Sequence, residues 1–474
     1  MAVALVVVPL VFALLSMIAS QRMRPWVVLV GGAAQIGLTG FALTMPSVVG
    51  LEGWLALDGV GRLVLGFTSL LFFACTVYAR GYITLHPERP NRTFAALMLV
   101  FMAMMALMIE AQHLGLMWVA LETLTLASAP MLVYKRTPRS LEATWKYLLI
   151  GSVGIALALL GSLFLAYSAL RGGASVSLLQ ADLVADATRL SRPWLRSAFV
   201  ILFIGYGTKM GLAPMHTWKP DAYGEAPGVV GTLLAGGVTN CAFMAIVRFY
   251  RICNAAGDAA FARQLMIATG LLSMAVAGAF MARQKDFKRM LAYSSVEHMG
   301  ILVLGIGIGG GAIFGAMLHM VNNALTKGVL FLSAANIQRA YDSKSTDDVH
   351  GALKRVPVSA GLLLAGFFAI TGSPPFGPFL SEFTILNATI SRGHYVVAAL
   401  FLLLLAVIFI GMGATVLAVV QGKPPEKKNG FGDRFSTVAP SLVLLGLVLL
   451  LGVYIPKPID ALVRGAAASV EAFR

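Results

Sequence analysis

The chain has 474 residues, of which 58% are hydrophobic and 12% charged, and its mean hydropathy is +0.83. A soluble domain carries about 25% charged residues, so a soluble enzyme is excluded and a polytopic membrane protein is expected. The formal charge of +15 reflects basic residues gathered in loops on one side, as membrane orientation requires, and not a nucleic-acid partner.

Apolar stretches near the roughly 20 residues that cross a bilayer recur throughout. Val3 to Ile18 lacks a basic n-region and an A-x-A-like site, and reads as a retained first span. About fourteen spans are expected, centred near residues 10, 35, 70, 101, 122, 155, 206, 237, 272, 300, 324, 372, 408 and 445. With the N-terminus outside, the inner loops include QRMR (21–24), YKRTPR (134–139), RQKDFKR (283–289), Gln338 to Arg355, and GKPPEKK (422–428). These inner loops hold 21 of the 36 Lys and Arg, against 11 outside or in the tail. That bias fits both termini on the outer side. Arg62, Lys146, Lys209 and Lys327 remain within spans. Arg62 and Lys146 lie near enough to an interface to snorkel.

Ionisable residues inside spans cost about 2.5–3.5 kcal/mol each on insertion scales, so they mark function before packing. In chain order the first is Glu122, in LMWVALETLTLASAP. Lys209 follows, in GTKMGLAPMHTW, five residues before the helix-breaking Pro214. A Glu122–Lys209 pair that opens is a protonation switch for both partners. Span ten adds Glu297 and His298, nearer the cytoplasmic end, with Ser294 and Ser295 able to hold water. In span eleven His319, Asn323 and Lys327 recur every four residues, which makes one polar stripe. The last is Glu382, just past a second break at Pro374 and Pro375 in ITGSPPFGPFLSEF.

The breaks fall in spans seven and twelve. An odd offset gives the units around them opposite orientation, the pattern of inverted repeats. The expected organisation is therefore all-α: residues 1–90 hold spans one to three, and 91–252 the first five-helix repeat (spans four to eight). Residues 262–422 hold the second repeat (spans nine to thirteen), and 423–474 a cytoplasmic loop, span fourteen and the tail. Cys75, Cys241 and Cys253 make no ligand spacing, and no C-x-x-C, Gly-rich nucleotide loop or H-E-x-x-H occurs. Neither a cofactor nor a metal is expected, and no three ligands converge at metal spacing along the chain.

From roughly Pro90 to Ile390 the motifs resemble the antiporter-type membrane subunits shared by respiratory complex I, Mrp sodium/proton antiporters and energy-converting membrane hydrogenases. WVALETLTLASAP resembles the family's span-five segment with its glutamate, here Glu122. GTKMGLAPMHTWKPDAYGEAP resembles the broken span seven and places the family lysine at Lys209. LHMVNNALTKGVLF resembles the H-x-x-x-H-x-x-x-K stripe, keeping His319 and Lys327 but replacing the middle histidine by Asn323. GSPPFGPFLSEFTIL resembles the broken span twelve and its charge, Glu382. In span eight, GGVTNCAFMAIVRF has Asn240 where many relatives carry a lysine or histidine linking the two halves. SLEATWKYLLIGSVGIALALLG and LAYSSVEHMGI resemble the F component of hydrogenase-four-type and formate-hydrogenlyase-like complexes.

The resemblance implies a proton-translocating subunit without redox chemistry of its own, in a multisubunit respiratory or hydrogenase complex. Its partners would be other antiporter-like subunits and a hydrogenase-like or quinone-reducing peripheral arm with iron–sulfur proteins. Its place would be the bacterial inner membrane. The alternative is a cation/proton antiporter module of an Mrp-type or inorganic-carbon uptake complex.

Overall fold

The first apolar stretches become helices α1 (Ala2–Ile18) and α2 (Arg24–Thr44) in the computed structural model, which describes residues 1–85, 89–426 and 431–471. Pro25 occupies the first turn of α2, where its missing N–H costs nothing. A two-residue hairpin follows, β1 (Val49–Gly50) against β2 (Leu55–Ala56). Helix α3 (Gly59–Thr84) begins at Asp58, whose carboxylate accepts the Gly61 N–H at 2.8 Å, filling one of the donors a helix start leaves open. Then come α4 (Asn91–Glu110), α5 (Leu114–Leu132) and α6 (Pro138–Gly172). Thr137 and Ser140 bond each other's backbone N–H at the start of α6, a reciprocal cap.

After the short α7 (Gln180–Ala185), α8 (Arg192–Met210) runs to the first break and α9 (Trp218–Glu225) resumes beyond it. Helix α10 (Gly228–Leu233), a π turn at Leu234–Val238 and α11 (Thr239–Ala255) form one rod. The remaining helices are α12 (Ala259–Met281), α13 (Phe287–Ile308), α14 (Gly311–Tyr341), α15 (Ala352–Arg355), α16 (Pro357–Ile370), α17 (Gly377–Ser391), α18 (Tyr395–Val420), α19 (Phe435–Val453) and α20 (Lys457–Glu471).

Both breaks turn on a glycine. Gly211 ends α8 at φ +79° and Gly372 follows α16 at φ +68°, a left-handed conformation that costs other residues roughly 1–2 kcal/mol. Backbone opened at membrane depth needs partners inside the protein. The Trp218 indole donates to Thr208 O at 2.8 Å, and Ala213 N donates to the Ser273 hydroxyl at 3.0 Å. In the second break Ser373 N donates to Phe368 O at 3.0 Å.

Helix α14 lies at the centre, packed by α3, α10, α13, α16, α17, α19 and α20. Helix α13 and the α10–α11 rod are enclosed on all sides. Helices α6, α18 and α19 instead turn Val153, Leu163, Leu403, Ile410 and Val443 outward, apolar surface suited to lipid. Polar stripes thus fall on the enclosed helices and apolar faces on the perimeter. Helix α20, read as tail in the sequence, buries Val463, Ala466, Ala467 and Val470 and packs on α3 and α14.

Ten helices among the described residues are long and apolar enough to cross a membrane, and Ala2–Ile18 and Pro357–Ile370 are shorter apolar helices. The expected centres at 206 and 324 lie in α8 and α14, and the one at 372 between α16 and α17. Lys427 and Lys428 of the basic loop 422–428 lie outside the described residues, as do 86–88 and 472–474.

Candidate functional site

Helix α5 turns Glu122 toward α6, and α8 delivers Lys209 one residue before its last turn ends. Lys209 Nζ lies 3.6 Å from Glu122 Oε2 and donates to Thr125 Oγ1 at 2.5 Å. The Ser152 hydroxyl donates to Glu122 Oε1 at 2.9 Å. The Tyr147 ring stands 5.5 Å from the ammonium, and its hydroxyl bonds Ser128 at 2.7 Å. The two partners differ in setting: the Lys209 side chain is 0% exposed and that of Glu122 20%. The open edge of Glu122 lines a cavity of about 390 Å³ with Trp118, Ser152, Ile155 and Leu163, on the outward side of α5 and α6.

A second cluster forms where α13, α14 and α17 meet. Lys327 Nζ donates to the Ser294 hydroxyl at 2.7 Å and to Leu291 O at 3.4 Å. His298 Nδ1 and His319 Nε2 share a proton position at 3.0 Å, and His319 Nδ1 meets Ser381 Oγ at 2.9 Å. Glu297 Oε2 is 3.8 Å from His298 Nε2. The Glu382 carboxylate packs against the open backbone of Gly372, and its Oε1 has no hydrogen-bond partner. Lys327, Ser294, His298, His319, Ser381, Glu297 and Glu382 are all buried, so Glu297 and His298, expected nearer the cytoplasmic end of span ten, are enclosed by protein. The reason is tertiary: α13 is covered on every face.

One expectation is corrected. No three ligands converge along the chain, yet the fold brings His298, His319 and Glu382 within 4.8 Å of one another. Three separate helices supply them, so sequence spacing could not reveal the cluster. The facing histidine nitrogens are spent on each other and the outer one of His319 on Ser381. That arrangement suits a proton passed between bases.

Two expected residues play quieter parts. Asn240 Nδ2 donates to Gly236 O at 2.9 Å, spanning the π turn, while its Oδ1 lacks a partner. Asn323 is buried with neither side-chain atom partnered, as is Asn322 beside it. Such groups need hydrogen bonds, a demand ordered water meets inside proteins. Pro214, Pro374 and Pro375 stand at the breaks themselves.

The sequence missed Lys219, which was counted among inner-loop cations. It is 0% exposed, among the largest fully buried side chains. Its Nζ donates to Met210 O at 2.7 Å and Ser295 O at 3.4 Å. The available signal was its place directly beyond Pro214, where a broken span turns back into the protein. Lys288 was also taken as a loop residue; it is buried and donates to Ala226 O at 2.6 Å. Lys146 pairs with Asp221 at 2.9 Å and Glu142 at 2.7 Å.

The chain is similar to known proteins in sequence and in fold. Residues 111–408 match the family described as NADH:quinone oxidoreductase/Mrp antiporter, transmembrane. A hydrogenase-4 component F homolog of Methylacidiphilum infernorum is 33% identical over 453 residues, covering 94% of each chain. NADH-quinone oxidoreductase subunit N of Desulforudis audaxviator is 32% identical over 361 residues, 75% of this chain and 70% of that one. Among solved structures, a chain of the Mrp complex from Dietzia sp. DQ12-45-1b superposes with TM-score 0.88 at 18% identity, covering 99% of this chain and 97% of that one. A chain of respiratory complex I from Thermus thermophilus superposes with TM-score 0.79 at 24% identity, covering 96% and 97%. At those identities the structural likeness speaks for the fold alone.

Proposed function

The chain belongs to the NADH:quinone oxidoreductase/Mrp antiporter family of membrane subunits, and from that premise we propose that it carries protons along a buried polar axis within a multisubunit complex. It is an antiporter-like membrane subunit of the complex I, Mrp or hydrogenase type. The likeness to a hydrogenase-4 component F homolog over nearly the whole chain favours a hydrogenase-type complex in a bacterial inner membrane, with other antiporter-like subunits and a redox arm as partners.

The observation that carries the reading is the Glu122–Lys209 pair beside the first break. A lysine enclosed by protein has one carboxylate within 3.6 Å, so separating the two leaves an ammonium in low dielectric and drives its proton onward. Onward lie Lys327, the His298–His319 pair, Glu297 and Glu382. We read uptake from the cytoplasm and release outside, driven by charge movement in a partner. The cavity at Glu122 suits the face through which a neighbouring subunit would act on the pair.

Fourteen spans in two inverted repeats fit the same reading. In each break a glycine of positive φ precedes a proline by three residues, Gly211 before Pro214 and Gly372 before Pro375. A sodium pathway would want clustered carboxylate and carbonyl oxygens, whereas this axis is rich in lysine.

The test is Lys209→Ala and Glu122→Gln in the assembled complex, assayed in inverted membrane vesicles energised by the donor it oxidises. Protons moved per electron should fall roughly tenfold or more, the scale on which a positioned acid–base group acts, while the subunits still co-purify. Pumping at the parent ratio in Lys209→Ala would remove the mechanism.

A further inference from the structure

We propose that Lys219 is the proton-carrying link between the two halves of the axis, a proposal that rests on the proton-relay reading above. Its position is the first argument. The side chain is 0% exposed, and among the described residues no carboxylate lies within ion-pair distance of it. Its ammonium is held by two backbone carbonyls, Met210 O at 2.7 Å and Ser295 O at 3.4 Å. Met210 follows Lys209 in the chain. Ser295 follows Ser294, whose hydroxyl holds Lys327. One cation therefore touches the residue next to Lys209 and the residue next to the anchor of Lys327.

The second argument is the way the break makes room. Met210 is the last residue of α8, so the broken helix leaves its carbonyl for Lys219 to take. A Cβ on Gly211 would stand 2.5 Å from Lys219 Cδ and 2.8 Å from its Nζ. The helix interruption and the lysine occupy the same space by design of sequence: Gly211 admits what any side chain would displace.

The third is what Asn240 cannot do. Its amide nitrogen is committed to Gly236 O across the π turn, and an amide holds no exchangeable charge. A buried lysine without a counter-ion does the opposite, since it is readily interconverted between ammonium and amine. In transit the Lys219 ammonium gives a proton toward Lys327, becoming amine, and returns to ammonium as it accepts one arriving from the Lys209 side, so charge is conserved at each step.

A purely structural role, a cation closing the C-terminus of α8, makes different predictions. In the assembled complex, Lys219→Arg keeps the charge and the carbonyl contacts but cannot deprotonate, whereas Lys219→His restores a titrating group of lower intrinsic pKa. Protons per electron should drop roughly tenfold in Lys219→Arg, and Lys219→His should pump with its pH profile moved to lower pH. Lys219→Arg pumping at the parent ratio, or failure of both variants to assemble, would overturn the link and leave a helix-closing cation only. Lys209→Ala run alongside separates the two ideas. If Lys209→Ala also pumps normally, the relay reading itself fails; if it stops while Lys219→Arg pumps, only the link fails.

Discussion

Glu382 lies against Gly372 at the second break, with one carboxylate oxygen unpartnered, while His298 and His319 bring their ligating atoms within 4.8 Å of it. A carboxylate enclosed this way next to two imidazoles can hold a proton and surrender it as neighbouring charge changes. Glu382→Gln keeps the shape and removes that capacity. Electron transfer should persist in the variant complex while protons per electron fall roughly tenfold, measured by acridine-dye quenching against donor oxidation. Pumping at the parent ratio would take Glu382 off the path. Glu122, Lys209, Lys327 and Glu382 were legible because a charge set in an apolar run is expensive wherever it sits. Lys219 was not, because Trp218 to Glu225 is as polar as any loop and only the turn back into the protein buries its lysine. The meeting of His298, His319 and Glu382 was hidden for another reason: the three sit on three separate helices, α13, α14 and α17, whose facing sides only the fold decides.

The two interrupted helices obey one rule at the scale of an element. In each, a positive-φ glycine lies against an ionisable side chain from the half-helix beyond, Gly211 against Lys219 and Gly372 against Glu382. Proline and glycine announced both breaks in the sequence. The π turn gave no such signal, since LLAGGV reads as ordinary apolar helix. Its glycines are closely packed: Gly237 sits against Met105 and Phe101, and Gly236 against Leu71 and near Ala324 of α14. Gly211→Ala tests the rule. The left-handed backbone costs an alanine about 1 kcal/mol, and its Cβ drives the Lys219 ammonium from its carbonyls. Thermal stability of the complex should fall slightly and protons per electron should fall as in Lys219→Arg. Gly446→Ala in α19, where a Cβ meets nothing within 4 Å, should change neither.

For the molecule as a whole, the polar axis needs a direction across the bilayer, and the loop charges supply one. Inner loops expected from the sequence carry most of the cations, and translocation machinery retains Lys- and Arg-rich short loops on the cytoplasmic side. The loops expected to lie inside are tied together by ion pairs: Lys344 with Glu225 at 2.7 Å and with Asp286 at 2.8 Å, and Arg289 with Asp221 at 3.0 Å. On the opposite side Arg248 and Arg251 hold Asp58 at 3.0 and 3.1 Å. Single cysteines report which side is which, because native Cys75, Cys241 and Cys253 are all buried and give little background. Val176, 61% exposed, precedes α7 in an expected outer loop. Ala282, exposed at the end of α12, opens an expected inner loop. In spheroplasts a membrane-impermeant maleimide should label Val176→Cys and spare Ala282→Cys, and inverted vesicles should reverse the pattern. The opposite labelling would place both termini in the cytoplasm, turn the inner cation clusters outward, and reverse the assigned path from uptake to release through Lys209, Lys219, Lys327 and Glu382.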